Sequence, residues 1–135
     1  YGDGTQQRCF SFVTDVLYCL EQMGTSDVAV GETINIGPDE ETVTLLGLAE
    51  AIADLMNFDL DPILMPSRAR EVKVATCCSD KARRLLGYET KTSLRDGLQS
   101  IIDWIADRGP SEFQYHLDIE LKKPYAPATW LDKLL

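Results

Sequence analysis

Gly2-Asp3-Gly4-Thr5-Gln6-Gln7-Arg8-Cys9-Phe10-Ser11-Phe12-Val13-Thr14-Asp15 carries several local signals in one short run. Gly2 and Gly4 allow backbone angles that other residues resist, so the run opens as a tight polar turn. Arg8 follows, and its planar fork can hold two phosphate oxygens at once. Phe10 and Phe12 alternate with polar neighbours and predict a brief strand. Thr14-Asp15 then predicts a helix start. The segment is thus read as turn, cation, strand and helix launch.

The run also begins like a dinucleotide fingerprint, Gly-x-Gly-x-x-Gly, but fails it. Gln7 stands where the third glycine belongs, and no strand precedes the glycines. A fingerprint needs a helix directly after them, so that its first amides meet the pyrophosphate. Here a Phe-x-Phe strand signal intervenes.

Working outward, Asp15 to Met23 reads as a helix with Val16, Leu17, Leu20 and Met23 on one face and Gly24 as its stop. Thr33-Ile34-Asn35-Ile36-Gly37 reads as a short strand ended by glycine. Thr44 caps a helix from Leu45 to about Met56, with Leu45, Leu48, Ala49, Ile52 and Leu55 as its apolar stripe. Pro62 to Pro66 reads as a short edge strand, because prolines cannot donate to a neighbour. Ser67 to Lys73 is a charged loop. Ser79 caps a helix Asp80 to Leu86, and Gly87 ends it. Ser93 with Asp96 forms a capping-box-like start to the last helix, which Gly109-Pro110 ends. Its residues Leu94, Leu98, Ile101, Ile102 and Ile105 are expected toward the core, with Trp104 beside them. The expected fold class is α/β: a small mixed domain of three short strands and about four helices. Residues 1–109 form it, and 110–135 are expected to pack on it as an irregular tail.

The 135 residues fit one domain. Tyr1 falls directly into a turn, and we read the chain as one whose upstream part is missing. With 13 basic and 22 acidic side chains the net charge is −9, which argues against nonspecific nucleic-acid or anionic-membrane binding. A single anionic small molecule held by local arginines remains compatible. No apolar run approaches membrane-spanning length. Cys9, Cys19, Cys77 and Cys78 suit neither a zinc site nor a disulfide framework, so reduced thiols in a cytoplasmic protein are expected. His116 is the sole histidine, and no metal site is assigned.

Several ordered segments resemble one family. The opening run resembles Gly-Asp-Gly-x-Gln-x-Arg-x-Phe-x-x-Val-x-Asp of the extended short-chain dehydrogenase/reductases, the NAD-dependent sugar-nucleotide epimerase/dehydratase family. Arg68-Ala69-Arg70-Glu71-Val72 resembles its Arg-x-x-Glu/Asp-Val, with Ala69 and Arg70 in place of the usual proline and glycine. Asn35-Ile36-Gly37, the segment Ser79 to Tyr88 and Ser93 to Leu98 resemble further family segments, to which packing and capping are assigned.

The resemblance implies a substrate-binding role. Arg8 and Arg68 would hold the diphosphate of a UDP-sugar, Glu71 would accept from the ribose, and Gln6 would join them. Arg70 and Lys73 are expected to face solvent. The family's catalytic Tyr-x-x-x-Lys pair is not in this chain: Tyr1, Tyr18, Tyr88, Tyr115 and Tyr125 have no lysine four residues on. What the resemblance implies is therefore the C-terminal substrate-binding part of a truncated Rossmann-type enzyme, without its catalytic NAD-binding half. NAD would belong to the parent enzyme, itself a possible homodimer, and the fragment alone would bind no cofactor and be inactive. The alternative is a non-catalytic interaction module that docks a basic partner through the aromatic tail, Tyr115 to Trp130.

Overall fold

A computed structural model describes residues 1–68 and 70–112. The expected tail beyond residue 112, and with it His116 and the Tyr115–Trp130 docking surface, lies outside the described residues.

Three two-residue strands form one mixed sheet in the order β2-β1-β3. β1 is Gln7–Arg8, β2 is Val43–Thr44 and β3 is Val74–Ala75. β1 lies in the middle, antiparallel to β2 with Gln7 opposite Thr44, and parallel to β3 with Gln7 opposite Val74. The strands expected at Phe10–Phe12, Thr33–Gly37 and Pro62–Pro66 are not part of this ladder. Local alternation marks residues able to sit in a sheet, but a strand also needs a neighbour for its amides. Val43 and Val74 supply that neighbour two residues before the Phe-x-Phe signal.

The helices follow their sequence more closely. α1 spans Val13–Thr25. It starts two residues before the expected Asp15, and Phe12, not a polar side chain, sits at its N-cap. It also runs through Gly24, which ends nothing, and Ser26 closes it. A short 3-10 turn, Asp27–Ala29, follows. α2 spans Leu45–Met56 and is capped as expected: Thr44 Oγ1 accepts from the Gly47 N–H at 2.9 Å. α3 spans Asp80–Leu86 and ends on Gly87 in a left-handed conformation. Ser79 stands at its N-cap, as expected, but its side chain makes no capping bond. Its hydroxyl instead donates to the Gly37 carbonyl, joining α3 to the Ile36–Pro38 segment. α4 spans Leu94–Arg108, and Ser93 Oγ accepts from the Asp96 N–H at 3.1 Å.

The core is small. Cys19, Ala82, Leu86 and Tyr88 are buried together, with Ala29, Ile34, Ile36 and Leu85 packed around them. It therefore sits between α1, α3 and the extended run through Ile34. Burial raises the Cys19 thiol above its ordinary range, so it behaves as a small apolar group. All four cysteines are free. Asp15 fastens the far side: its carboxylate accepts from the Lys91 and Thr92 N–H groups and the Thr92 hydroxyl, at 2.9–3.0 Å. The outer half of α4 departs from expectation. Ile101, Trp104 and Ile105 are exposed, and the Arg108 guanidinium lies 4.6 Å from the Trp104 ring. No helix among the described residues is long and apolar enough to cross a membrane.

Candidate functional site

The glycine turn is fastened on both sides. Gly2 N–H donates to Met65 O at 2.8 Å, and Gln7 N–H to Lys73 O at 2.7 Å. On the other side, Gly4 O and Gln6 O accept from Leu46 and Leu45, at the start of α2. The turn and the Leu64–Lys73 loop are thereby held face to face. Gly2 has φ +70°, and a Cβ there would stand 2.9 Å from Gln6 Nε2. Only glycine lets the turn pass so close to that side chain.

Between turn and loop lies a cavity of about 540 Å³, lined by Gly2, Gln6, Ser67, Arg68, Glu71 and Lys73 among others. Three of the four residues assigned to substrate binding meet here. Gln6 is 5 % exposed. Its Nε2 donates to Tyr1 O at 2.7 Å and to Glu71 Oε2 at 3.4 Å. Glu71 also pairs with Arg68, and the hydrogen bond from that guanidinium, more than any other influence, holds its carboxyl below the usual range. The Arg68 guanidinium lies 5.0 Å from the Tyr1 ring. Tyr1 was not singled out by sequence, although an aromatic residue directly before the glycine turn was the available signal. Lys73 is exposed, as expected, yet its side chain forms part of the cavity wall.

Arg8 is placed differently. It is not among the residues lining this cavity, and its Nη1 donates to the carbonyl of its own neighbour Gln7 at 2.7 Å. It follows Gln6 by two positions, at the end of β1. The structure therefore gathers Gln6, Arg68 and Glu71 at one cavity and leaves Arg8 beside it.

The chemistry of this lining is recognition. A guanidinium and an ammonium can take phosphate oxygens, while a carboxylate and a carboxamide can take hydroxyls. Among the described residues that line it there is no cysteine and no tyrosine–lysine pair. A smaller cavity of about 370 Å³ lies between Phe10, Pro38, Glu40, Lys91 and Leu94. Its Glu40 is already engaged by Arg83 and Thr90.

One cluster escaped sequence reading. Asp39, Cys78 and Asp80 bring ligand atoms within 4.8 Å of one another. Asp39 is nevertheless committed elsewhere: it pairs with Arg83 and accepts from the Ser79 N–H at 2.8 Å. The Arg83 hydrogen bond, followed by that amide, holds its pKa at about 2. The arrangement is that of a structural ion pair joining the Pro38–Glu40 segment to α3.

No protein-family model matches the chain. Curated relatives do. It is 29% identical over 106 residues to an uncharacterized UDP-glucose epimerase, YtcB, of Bacillus subtilis, covering 78% of this chain and 33% of that protein. It is 30% identical over 112 residues to UDP-glucuronic acid decarboxylase 1 of Arabidopsis thaliana, covering 80% of this chain and 24% of that one. Among solved structures, the UDP-glucuronic acid 4-epimerase of Bacillus cereus, in complex with UDP-glucuronic acid and NAD, superposes with a TM-score of 0.74 at 28% identity. The match covers 81% of this chain and 35% of the epimerase. An epimerase from Methanothermobacter thermautotrophicus superposes with a TM-score of 0.73 at 33% identity, over 79% of this chain and 32% of that one. The chain spans about a third of the length of the first curated relatives it matches. Its homologues are UDP-sugar epimerases and UDP-glucuronic acid decarboxylases, and its fold is that of part of a Rossmann-type, NAD-dependent epimerase.

Proposed function

We propose that this chain is the sugar-nucleotide-binding region of an NAD-dependent epimerase, dehydratase or decarboxylase acting on a UDP-sugar. The observation that carries the reading is the meeting of Gln6, Arg68 and Glu71, distant in sequence, at one 540 Å³ cavity. Arg68 takes the diphosphate, with Lys73 as a second cation on the wall. Glu71 accepts from the ribose hydroxyls, and Gln6 holds the Glu71 carboxylate in place. Arg8 completes the phosphate clasp by leaving the Gln7 carbonyl and turning along its strand face toward the cavity. An anionic ligand supplies the reason for that turn, since a charged acceptor outcompetes a backbone carbonyl.

Hydride transfer falls to an NAD-binding portion carrying the Tyr-x-x-x-Lys pair and the cofactor. This chain alone binds the nucleotide, holds no NAD and turns nothing over. The parent enzyme is cytoplasmic and a possible homodimer.

Calorimetric titration of the chain with UDP tests the reading. Saturable binding that Arg68→Ala and Arg8→Ala each weaken by about 1.5–3 kcal/mol is expected, the magnitude of a lost charged hydrogen bond. Heat unchanged by either substitution would remove the phosphate roles.

A further inference from the structure

An apolar groove runs along α4. Leu94, Leu98, Ile101 and Ile105 stand at i, i+4, i+7 and i+11, with Trp104 beside them. Leu94 and Leu98 are partly buried. From Ile101 onward the row is open: Ile101, Trp104 and Ile105 are 49 %, 58 % and 54 % exposed. Against the row lies an apolar cavity of about 190 Å³, between Phe10, Phe12, Leu48, Leu98 and Ile101. It shares Phe10, Thr92, Ser93 and Leu94 with the 370 Å³ cavity that Glu40 and Glu41 line. The two are therefore one groove, apolar beside α4 and carrying two carboxylates past its first turn. Contiguous apolar surface of this kind is a contact surface.

The sequence that leaves α4 carries a matching pattern. Phe113, Tyr115, Leu117, Ile119 and Leu121 alternate with polar or charged residues, and Lys122-Lys123 follow. Strict alternation puts every apolar side chain on one side of an extended chain. Irregular packing needs no such order. Gly109, at φ +71°, closes α4 and turns the chain off the helix axis shortly before the run begins. The 15 residues of α4 measure about 22 Å. Residues 113–121, extended, cover about 30 Å, enough to pass from Ile105 back to Leu94 and carry the lysines beyond it.

We propose that residues 113–123 of this chain fold back along α4 and occupy its groove. Their apolar side covers Ile101, Trp104 and Ile105, and Lys122 and Lys123 come to the carboxylates of Glu40 and Glu41. Position, pattern and charge carry the assignment together. The run starts at the open end of the row, its apolar side matches an apolar wall, and its two cations arrive where two carboxylates stand. The aromatic run is then internal cover, not a surface offered to a basic partner. A second copy is the weaker occupant, because each chain carries a net charge of −9. The groove shares no lining residue with the cavity of Gln6, Arg68 and Glu71, so this assignment stands apart from the nucleotide reading.

The test uses the full chain with Trp130→Phe, which leaves Trp104 as its one tryptophan. Trp104 emission is expected at short wavelength and resistant to acrylamide quenching. Leu117→Asp with Ile119→Asp should shift the emission to longer wavelength and raise the quenching, with the helical circular dichroism kept. Lys122→Glu with Lys123→Glu should act in the same direction. Leu117→Ala with Ile119→Ala serves where the aspartates unfold the chain, and should shift the emission likewise. Emission already at long wavelength, or indifferent to these substitutions, would overturn the proposal. Unfolding by the alanine pair would too, since the core of Cys19, Ala82, Leu86 and Tyr88 lies elsewhere. So would a dimer in sedimentation that the substitutions dissociate, because the run then covers a second copy.

Discussion

Gln6 donates its side-chain amide to the carboxylate of Glu71 across 65 positions of sequence. That contact, with the Arg68 pair on the other carboxylate oxygen, joins the opening turn to the loop before β3. The same Gln6 nitrogen reaches Tyr1 O, so one buried carboxamide ties the start of the opening turn to the loop across the cavity.

Replacing Gln6 with leucine removes both donations while keeping the bulk. Its amide is buried, so the loss is felt in affinity and in stability. UDP binding is expected to weaken by roughly tenfold, with a stability loss of about 1 kcal/mol, the worth of a typical hydrogen bond. Calorimetry and urea unfolding on the same sample would measure both.

Gly2→Ala places a methyl 2.9 Å from Gln6 Nε2, at a backbone angle that alanine resists. The strain costs about 1 kcal/mol or more. UDP affinity should fall together with the urea midpoint. Gly24→Ala meets open space within a helix and should stabilise by up to about 1 kcal/mol.

Asp15→Ala removes three hydrogen bonds that hold the Lys91–Thr92 segment. Burial raises this carboxyl, but the hydrogen bonds from the Thr92 and Lys91 amides and the Thr92 and Thr14 hydroxyls together leave the pKa lowered. A loss of about 2–3 kcal/mol is expected, since the orphaned amides also lose their charged acceptor. Chemical denaturation would show it, with hydrogen exchange at Thr92 rising in parallel.

Asp39 sets an acid limit. Its pKa is about 2 in the fold, below the ordinary value near 3.9 of an unfolded chain. The group thus adds stability above about pH 4, and that contribution drains away as pH falls toward 2. Asp39→Asn should flatten the stability profile in this window and lower the plateau above it. Thermal midpoints at half-unit pH steps would reveal the difference.

Much of the helical layout was written locally. Thr44 and Ser93 cap α2 and α4, and Gly87 and Gly109 close α3 and α4, because each uses a side chain or a backbone angle available within a few residues. Gly24 shows the limit of such signals: a glycine inside a helix is tolerated when packing on either side continues it. Strands were poorly legible, since the ladder belongs to Gln7–Arg8 and Val74–Ala75, which have no alternation of their own. The cavity was partly legible, through the resemblance of the opening turn and of Arg68–Val72 to family segments, which singled out Gln6, Arg68 and Glu71.

Residue order alone determined where α2 and α4 begin, where α3 and α4 end, and the acidic balance, because those are properties of neighbours along the backbone. Only the tertiary structure decided that Gln6 meets Glu71, that Arg8 donates to the Gln7 carbonyl rather than lining the cavity, and that Thr33–Gly37 takes no part in the β2-β1-β3 sheet. Each of those depends on segments far apart in sequence coming into contact, and pairing between backbone groups is fixed by which partner arrives.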